Sequence, residues 1–252
     1  MSSHLPPQLF FAASLYEHLL RYQTGDCAFV SPRQALLGAG VALERTVHGH
    51  DTIPGQARDM LRQARQDGWS RAVLISAIPF CPQAQARLVI PRYVEAIARQ
   101  PQTDPPLAAA AASTGHIKAL APTPDRYREL VSQAVEQIQA GLIDKVVLSR
   151  TLTVETRVQV ASLLAGLAHN NPAGYSFAFE RQRSGTPRTL VGASPELLLS
   201  KYGPRIWSNP LAGSLPRSPD VMENRRRSEY LLHSPKDLHE HALVVDAMVE
   251  AL

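Results

Sequence analysis

Apolar positions along this chain follow two rhythms, and the changes between them mark out its elements. From Phe10 to Tyr22 they recur every three or four residues, which predicts an amphipathic helix. Cys27-Ala28-Phe29-Val30-Ser31-Pro32 then reads as a short strand stopped by proline. A second helix is predicted over Gln56 to Asp67, with Gly68 supplying its left-handed end. Arg71 to Ile78 has the continuous apolar character of a buried strand, and Arg87 to Pro91 that of a shorter one.

The rhythm lapses from Gln100 to Pro124, a Pro- and Ala-rich stretch with few large apolar residues. It reads as a connector between an N-terminal part (1–100) and a second part (125–252). A long helix over Arg126 to Leu142 follows, with Tyr127, Leu130, Val131, Ala134, Ile138 and Leu142 on one side. Strands are predicted at Lys145 to Thr153, Tyr175 to Phe179, Leu190 to Gly192, Leu197 to Lys201 and Ile206 to Pro210. Successive strands divided by short Gly/Pro turns point to antiparallel pairing and an α+β architecture.

The last helix has its start written in. Ser234 suits the N-cap, Pro235 the first helical position, and Asp237 the N3 position, where an acid opposes the positive end of the helix dipole. Leu243, Val244, Ala247, Met248 and Ala251 then recur on one stripe, and Glu240 falls on the same stripe. A carboxylate facing a core needs a partner, because an unpaired buried ion costs several kcal/mol. That partner is either a lysine or arginine from elsewhere or a hard cation such as magnesium. Zinc does not fit: His239 and His241 are two residues apart, about 200° around a helix, and do not converge on one ion.

Composition narrows the class. With 252 residues, 44% hydrophobic and 19% charged, the chain can bury a substantial core as one large or two small domains. No run approaches the roughly 18 apolar residues of a membrane span, and the N-terminus lacks the basic start of a secretory signal, which places the protein in the cytoplasm. There Cys27 and Cys81 are expected to be reduced and buried. The net charge of +4 suits an anionic small molecule or nucleic acid. Arg225-Arg226-Arg227 has no interleaved aromatic residues to stack on bases, so it reads as a solvated helix face, and neither nucleic acid nor membrane is expected as a partner.

Three further segments could carry chemistry. Strand alternation sets Lys145 on the face of Val147, Ser149 and Thr151; such a lysine either reaches solvent or, if buried, becomes a neutral amine able to act as a base. Gly192-Ala193-Ser194-Pro195-Glu196 is a turn ending in a carboxylate, an edge residue or an acid. Pro210-Leu211-Ala212-Gly213-Ser214 is a strand end running into a small-residue loop, either an ordinary turn or a place where backbone N–H groups approach an anionic oxygen.

In order and spacing, Asp144-Lys145-Val146-Val147-Leu148-Ser149-Arg150, Gly192-Ala193-Ser194-Pro195-Glu196-Leu197-Leu198-Leu199, Pro210-Leu211-Ala212-Gly213-Ser214 and Lys236-Asp237-x-His239-Glu240-His241 together resemble the chorismate-binding enzymes. Within them they are most similar to siderophore-type isochorismate synthases. Phe29-Val30-Ser31-Pro32 and Ala77-Ile78-Pro79-Phe80 extend the resemblance weakly into the N-terminal half. It implies the anthranilate synthase component I-like fold, with largely antiparallel sheets and outer helices, and chorismate as substrate. It further implies water addition at C2 with loss of the C4 hydroxyl, and Mg2+ as cofactor. Lys145 matches the base, Glu196 the acid, Glu240 a magnesium ligand, and Gly213 and Ser214 substrate contacts. The lysine favours water over the ammonia that anthranilate synthases deliver. Salicylate synthase and a non-catalytic chorismate-binding remnant are the alternatives. Family members continue for roughly another third of their length. The chain is therefore expected to be incomplete at the C-terminus and impaired in activity, with the second metal ligand and a carboxylate-binding arginine lying in the absent part.

Overall fold

Strand β1 (Cys27–Val30) takes antiparallel partners on both edges, β2 (Gln34–Val47) on one and β7 (Tyr175–Gln182) on the other. With β3 (Ile75–Ala77), β4 (Ala86–Ala98) and β8 (Arg188–Ser194) they form a six-stranded sheet in the order β3-β4-β2-β1-β7-β8, every neighbouring pair antiparallel. This computed structural model describes residues 14–99, 115–182 and 188–252. The chain divides into two units that interleave in sequence: the first is Met1–Ala112 with Val158–Pro195, the second Ser113–Arg157 with Glu196–Leu252. The architecture is α+β, as the alternating strands required.

In the first unit, α1 (Leu15–Leu20) and α4 (Val160–Asn170) cover one end of the sheet. Leu15, Tyr16 and Leu19 of α1 and Leu164, Ala165 and Ala168 of α4 close over Ala28, Val30, Ala35 and Ala178. Ser14 caps α1 reciprocally with Glu17; the predicted start at Phe10 lies outside the described residues. Helix α2 (Ile53–Gln66) packs Ile53, Met60 and Ala64 against Val47, Leu88 and Ile90 at the other end. Alternation along β4 turns Val89 to the opposite face, where it meets Cys27 and Phe179. Each large apolar side chain buried in these clusters contributes roughly 1.5–3 kcal/mol relative to exposure. No described helix is long and apolar enough to cross a membrane.

One strand runs beyond its sequence signal. Pro91 was expected to end a strand, yet β4 continues through it to Ala98 because Pro91 sits where the β2 pairing shifts register between Val41 and Leu43. A bulge is a place in a sheet where the missing proline N–H is tolerated. The pairing depends on Gly38, whose added Cβ would lie 2.5 Å from Pro91 Cγ and 2.6 Å from Cys27 Sγ. Gly38→Ala is therefore expected to destabilise the chain by about 1–3 kcal/mol, read as a lower melting temperature by circular dichroism. Gly55→Ala on α2 is the control, since nothing lies within 4 Å of its added Cβ.

Both cysteines are free, but only Cys27 is buried; Cys81 is exposed, so the two do not share the buried setting expected of them. Burial, followed by the Asp26 carboxylate, pushes the Cys27 thiol up to about 12, and its Sγ–H donates to the Gly38 carbonyl at 3.6 Å. Cys81 lies in the loop between β3 and β4, where Phe80 beside it is fully exposed.

The second unit is built from two small sheets and three helices. β5 (His116–Ala121) pairs antiparallel with β6 (Thr151–Glu155), and β9 (Leu197–Tyr202) with β10 (Arg205–Asn209). Helix α3 (Pro124–Gln139) starts at Thr123, whose hydroxyl accepts the Arg126 N–H. Helices α5 (Val221–His233) and α6 (Pro235–Ala251) meet at Ser234. β5 lies in the stretch read as a connector, where only the distant β6 reveals it. None of these three helices buries a residue fully, and elsewhere in the unit Leu142 is 73% exposed, Leu198 of β9 74% and Trp207 of β10 52%. The α6 stripe that was expected to face a core is only partly covered.

Candidate active site

The site is assembled on the first turns of α6. Ser234 ends α5 and caps α6, its buried side chain accepting the Asp237 N–H at 3.4 Å, and Pro235 occupies the first turn as the sequence required. This fixes the direction in which Asp237 and Glu240, three residues apart, leave the helix. A separate side-chain hydrogen bond from Ser234 to the Asp237 carboxyl, then the Lys236 ammonium, holds that carboxyl below the usual carboxylate range. On α5, Arg225 pairs with Glu229, and both Arg226 and Arg227 pair with Glu223, a solvated face as expected.

Lys145 reaches Glu240 from a different part of the unit. It was expected at a strand start, but residues 145–150 form no strand and β6 begins only at Thr151. The described residues offer this segment no ladder partner, and Val146 and Val147 are both exposed, at 44% and 79%. Side chains hold it instead. The Tyr127 hydroxyl donates to the Leu148 carbonyl at 3.4 Å, the Arg150 guanidinium lies 5.7 Å over the Tyr127 ring, and Arg150 Nε donates to the Pro122 carbonyl at 3.3 Å. So anchored, Lys145 places Nζ 3.3 Å from Glu240 Oε1, with side-chain exposures of 24% and 31%. Lys236 lies 3.5 Å from Glu240 Oε2 and 3.3 Å from Asp237 Oδ1. The carboxylate that needed a cation has a lysine on each oxygen, one half-buried and one exposed.

Glu196 enters through the β9–β10 hairpin. Asn209 pairs with Leu197, which brings the following loop beside Glu196, and Glu196 Oε1 accepts the Leu211 N–H at 3.4 Å. The residue before it in that loop, Pro210, accepts through its carbonyl from His241 Nε2 on α6 at 3.2 Å. Gly213 follows with φ +78°, and an added Cβ there would meet Asp237 Cβ at 3.0 Å and Oδ1 at 3.1 Å. Ser214 is exposed next to it. Gly213→Ala combines left-handed strain, roughly 1–2 kcal/mol, with this contact, and is expected to displace the loop and lower the melting temperature while far-ultraviolet circular dichroism stays unchanged.

Five candidates thus converge on one end of α6: Lys145 and Glu240 directly, Gly213 through Asp237, Glu196 through the loop, and Ser214 beside Gly213. Sequence reasoning gave no role to Tyr127 and Arg150, which hold the lysine segment, or to Lys236. It weighed His241 only as a zinc ligand; His239, two residues away, is exposed. Among the described residues no group of three or more His, Cys, Asp or Glu side chains could hold a metal. The donors that are present, the Glu240 carboxylate with Asp237 three residues before it, are hard oxygen ligands that suit magnesium rather than zinc.

Comparison with known proteins shows the family. The family profile for chorismate binding enzymes matches residues 70–252. Isochorismate synthase DhbC of Bacillus subtilis is 42% identical over 246 residues, covering 94% of this chain and 62% of its own. The vibriobactin-specific isochorismate synthase of Vibrio cholerae is 36% identical over 241 residues, covering 92% and 59%. A crystal structure described as a 2,3-dihydroxybenzoate-specific isochorismate synthase of Bacillus anthracis superposes with a TM-score of 0.83 at 39% identity, covering 92% of this chain and 62% of that one. The chain therefore spans about three fifths of the length of these relatives.

Proposed function

The chain belongs to the chorismate-binding enzymes, and from that premise we propose that it carries the catalytic lysine, acid and metal-ligand positions of an isochorismate synthase serving siderophore assembly. The observation that carries the reading is the Lys145–Glu240 contact at 3.3 Å between segments remote in sequence. An amine and a carboxylate meet where the relatives' shared chemistry needs a base next to a cation-binding acid.

In this reading chorismate lies against the 210–214 loop, where Gly213 lets backbone N–H groups approach a substrate carboxylate and Ser214 adds a hydroxyl. Lys145 Nζ takes a proton from the water that attacks C2. Glu196 delivers a proton to the C4 oxygen as the hydroxyl departs. Both transfers are needed, since water is a poor nucleophile and hydroxide a poor leaving group, and each contributes about 10²–10⁴-fold. Glu240 would hold magnesium, which supplies charge neutralisation for the two substrate carboxylates.

The test is chromatography of chorismate incubated with magnesium and either this chain or a chimera that adds the portion of the Bacillus subtilis relative left out of the match. Isochorismate is the expected product, formed faster by the chimera because that portion would cover the apolar side chains exposed on the second unit. Salicylate in the mixture would move the assignment to a salicylate synthase. Chorismate binding in calorimetry with no product from either protein would leave a non-catalytic binder.

A further inference from the structure

The two hydrogen bonds that hold the loop after β10 end on the same peptide group. His241 Nε2 lies 3.2 Å from the Pro210 carbonyl oxygen, and the Leu211 N–H of that same amide lies 3.4 Å from Glu196 Oε1. A carbonyl oxygen can only accept, so His241 carries its proton on Nε2. The result is an unbroken relay from the imidazole N–H through one amide to the carboxylate. An amide whose oxygen accepts a hydrogen bond becomes a better donor at its nitrogen, by something like 10–30% per bond.

We propose that His241 is a positioning residue for Glu196, acting through the Pro210–Leu211 peptide and selecting where the carboxyl group stands. The proposal rests on Glu196 being the acid of the reaction. The loop needs such a hold: Leu211, Gly213 and Ser214 are exposed, and the segment after Asn209 makes no ladder bonds among the described residues. His241 is one residue beyond Glu240 on α6, so the same helix turn that presents the proposed metal ligand also sets the height of the loop and, through it, of Glu196. Acid and metal ligand are thereby held to a common frame although they come from different elements. A tether of this kind matters because a misplacement of about 1 Å in a reacting group can cost 10²-fold in rate.

The experiment uses the ¹⁵N-labelled full chain without substrate or metal, so it reads the relay whether or not the chain turns chorismate over. In the starting protein the His241 ring should show the Nε2–H tautomer. His241→Phe keeps a ring of similar shape but removes the donor; the Leu211 amide should then exchange about fivefold faster, the factor one ordinary net hydrogen bond supports. His241→Gln returns an N–H near the same place and should restore the Leu211 rate to within about twofold. Glu196→Gln should shift the His241 ring nitrogen resonances, a response that packing of His241 alone would not give. The proposal is overturned if Leu211 exchange is equal in the starting protein and His241→Phe, or if Glu196→Gln leaves the His241 resonances unmoved. Failure to form isochorismate with these spectra intact would count against the assigned reaction and not against the relay.

Discussion

Lys145→Arg is expected to keep its contact with Glu240 and to lose chorismate turnover by about 10²–10⁴-fold, the share a positioned base contributes. Arginine preserves the charge and reaches the same carboxylate, but its guanidinium does not give up a proton in proteins and cannot serve as a base. Lys145→Met removes both charge and base and should lose turnover to the same extent, while also leaving Glu240 with Lys236 as its cation. Comparing the two separates proton transfer from simple charge pairing. The measurement is the rate of isochorismate formation by the more active of the chain and the chimera, alongside melting temperatures to show that both variants fold. An arginine variant with turnover near that of the starting protein would remove Lys145 from the base role and leave it as a structural partner of Glu240.

Glu240→Gln should be nearly as damaging, for a different reason. The amide keeps the size of the side chain and one oxygen, but the anion is gone. Two ammonium groups now face an uncharged residue, since Lys145 and Lys236 each lie within 3.5 Å of this carboxylate. Removing even the groups that support metal ligands costs 10–100-fold in affinity, so loss of the anionic ligand itself should weaken magnesium by about 100-fold or more. Turnover should become insensitive to magnesium over the range that activates the starting protein. The rise in melting temperature that magnesium gives a chain able to bind it should also disappear. Unchanged magnesium affinity in Glu240→Gln would show that the ion is held elsewhere.

What could be read from the sequence was what neighbouring residues decide among themselves. The cap at Ser234, the proline after it, and the β9–β10 turn all rest on interactions within a few residues, and all stand where they were expected, whereas α3 starts at a Thr123 cap ahead of the expected Arg126. Strand β2 escaped because Gly38 and Gly40 interrupt its alternation and its identity comes from twelve residue pairings with β4. Strand β5 escaped because an Ala-rich stretch carries no pattern until β6 pairs with it. The Lys145 segment shows the converse: a strong local strand signal with no neighbour among the described residues to complete a ladder, so tyrosine and arginine side chains hold the backbone instead. Of the site, the acids and the lysine were legible as residue types in a familiar order. The contribution of His241 was not, because the search asked which ions it could bind and its partner is a backbone carbonyl.

The place of β1 between β2 and β7 has a consequence for how the protein is made. Its first neighbour follows at once on the ribosome, whereas the second, Tyr175–Gln182, emerges only after most of the chain has been translated. At ordinary elongation rates that interval is on the order of ten seconds, during which Cys27–Val30 presents a bare hydrogen-bonding edge rich in apolar side chains. Nascent chains crowded on one messenger could pair along that edge. The yield of soluble protein should therefore depend on translation speed and chaperone supply more than the stability of the finished sheet would suggest.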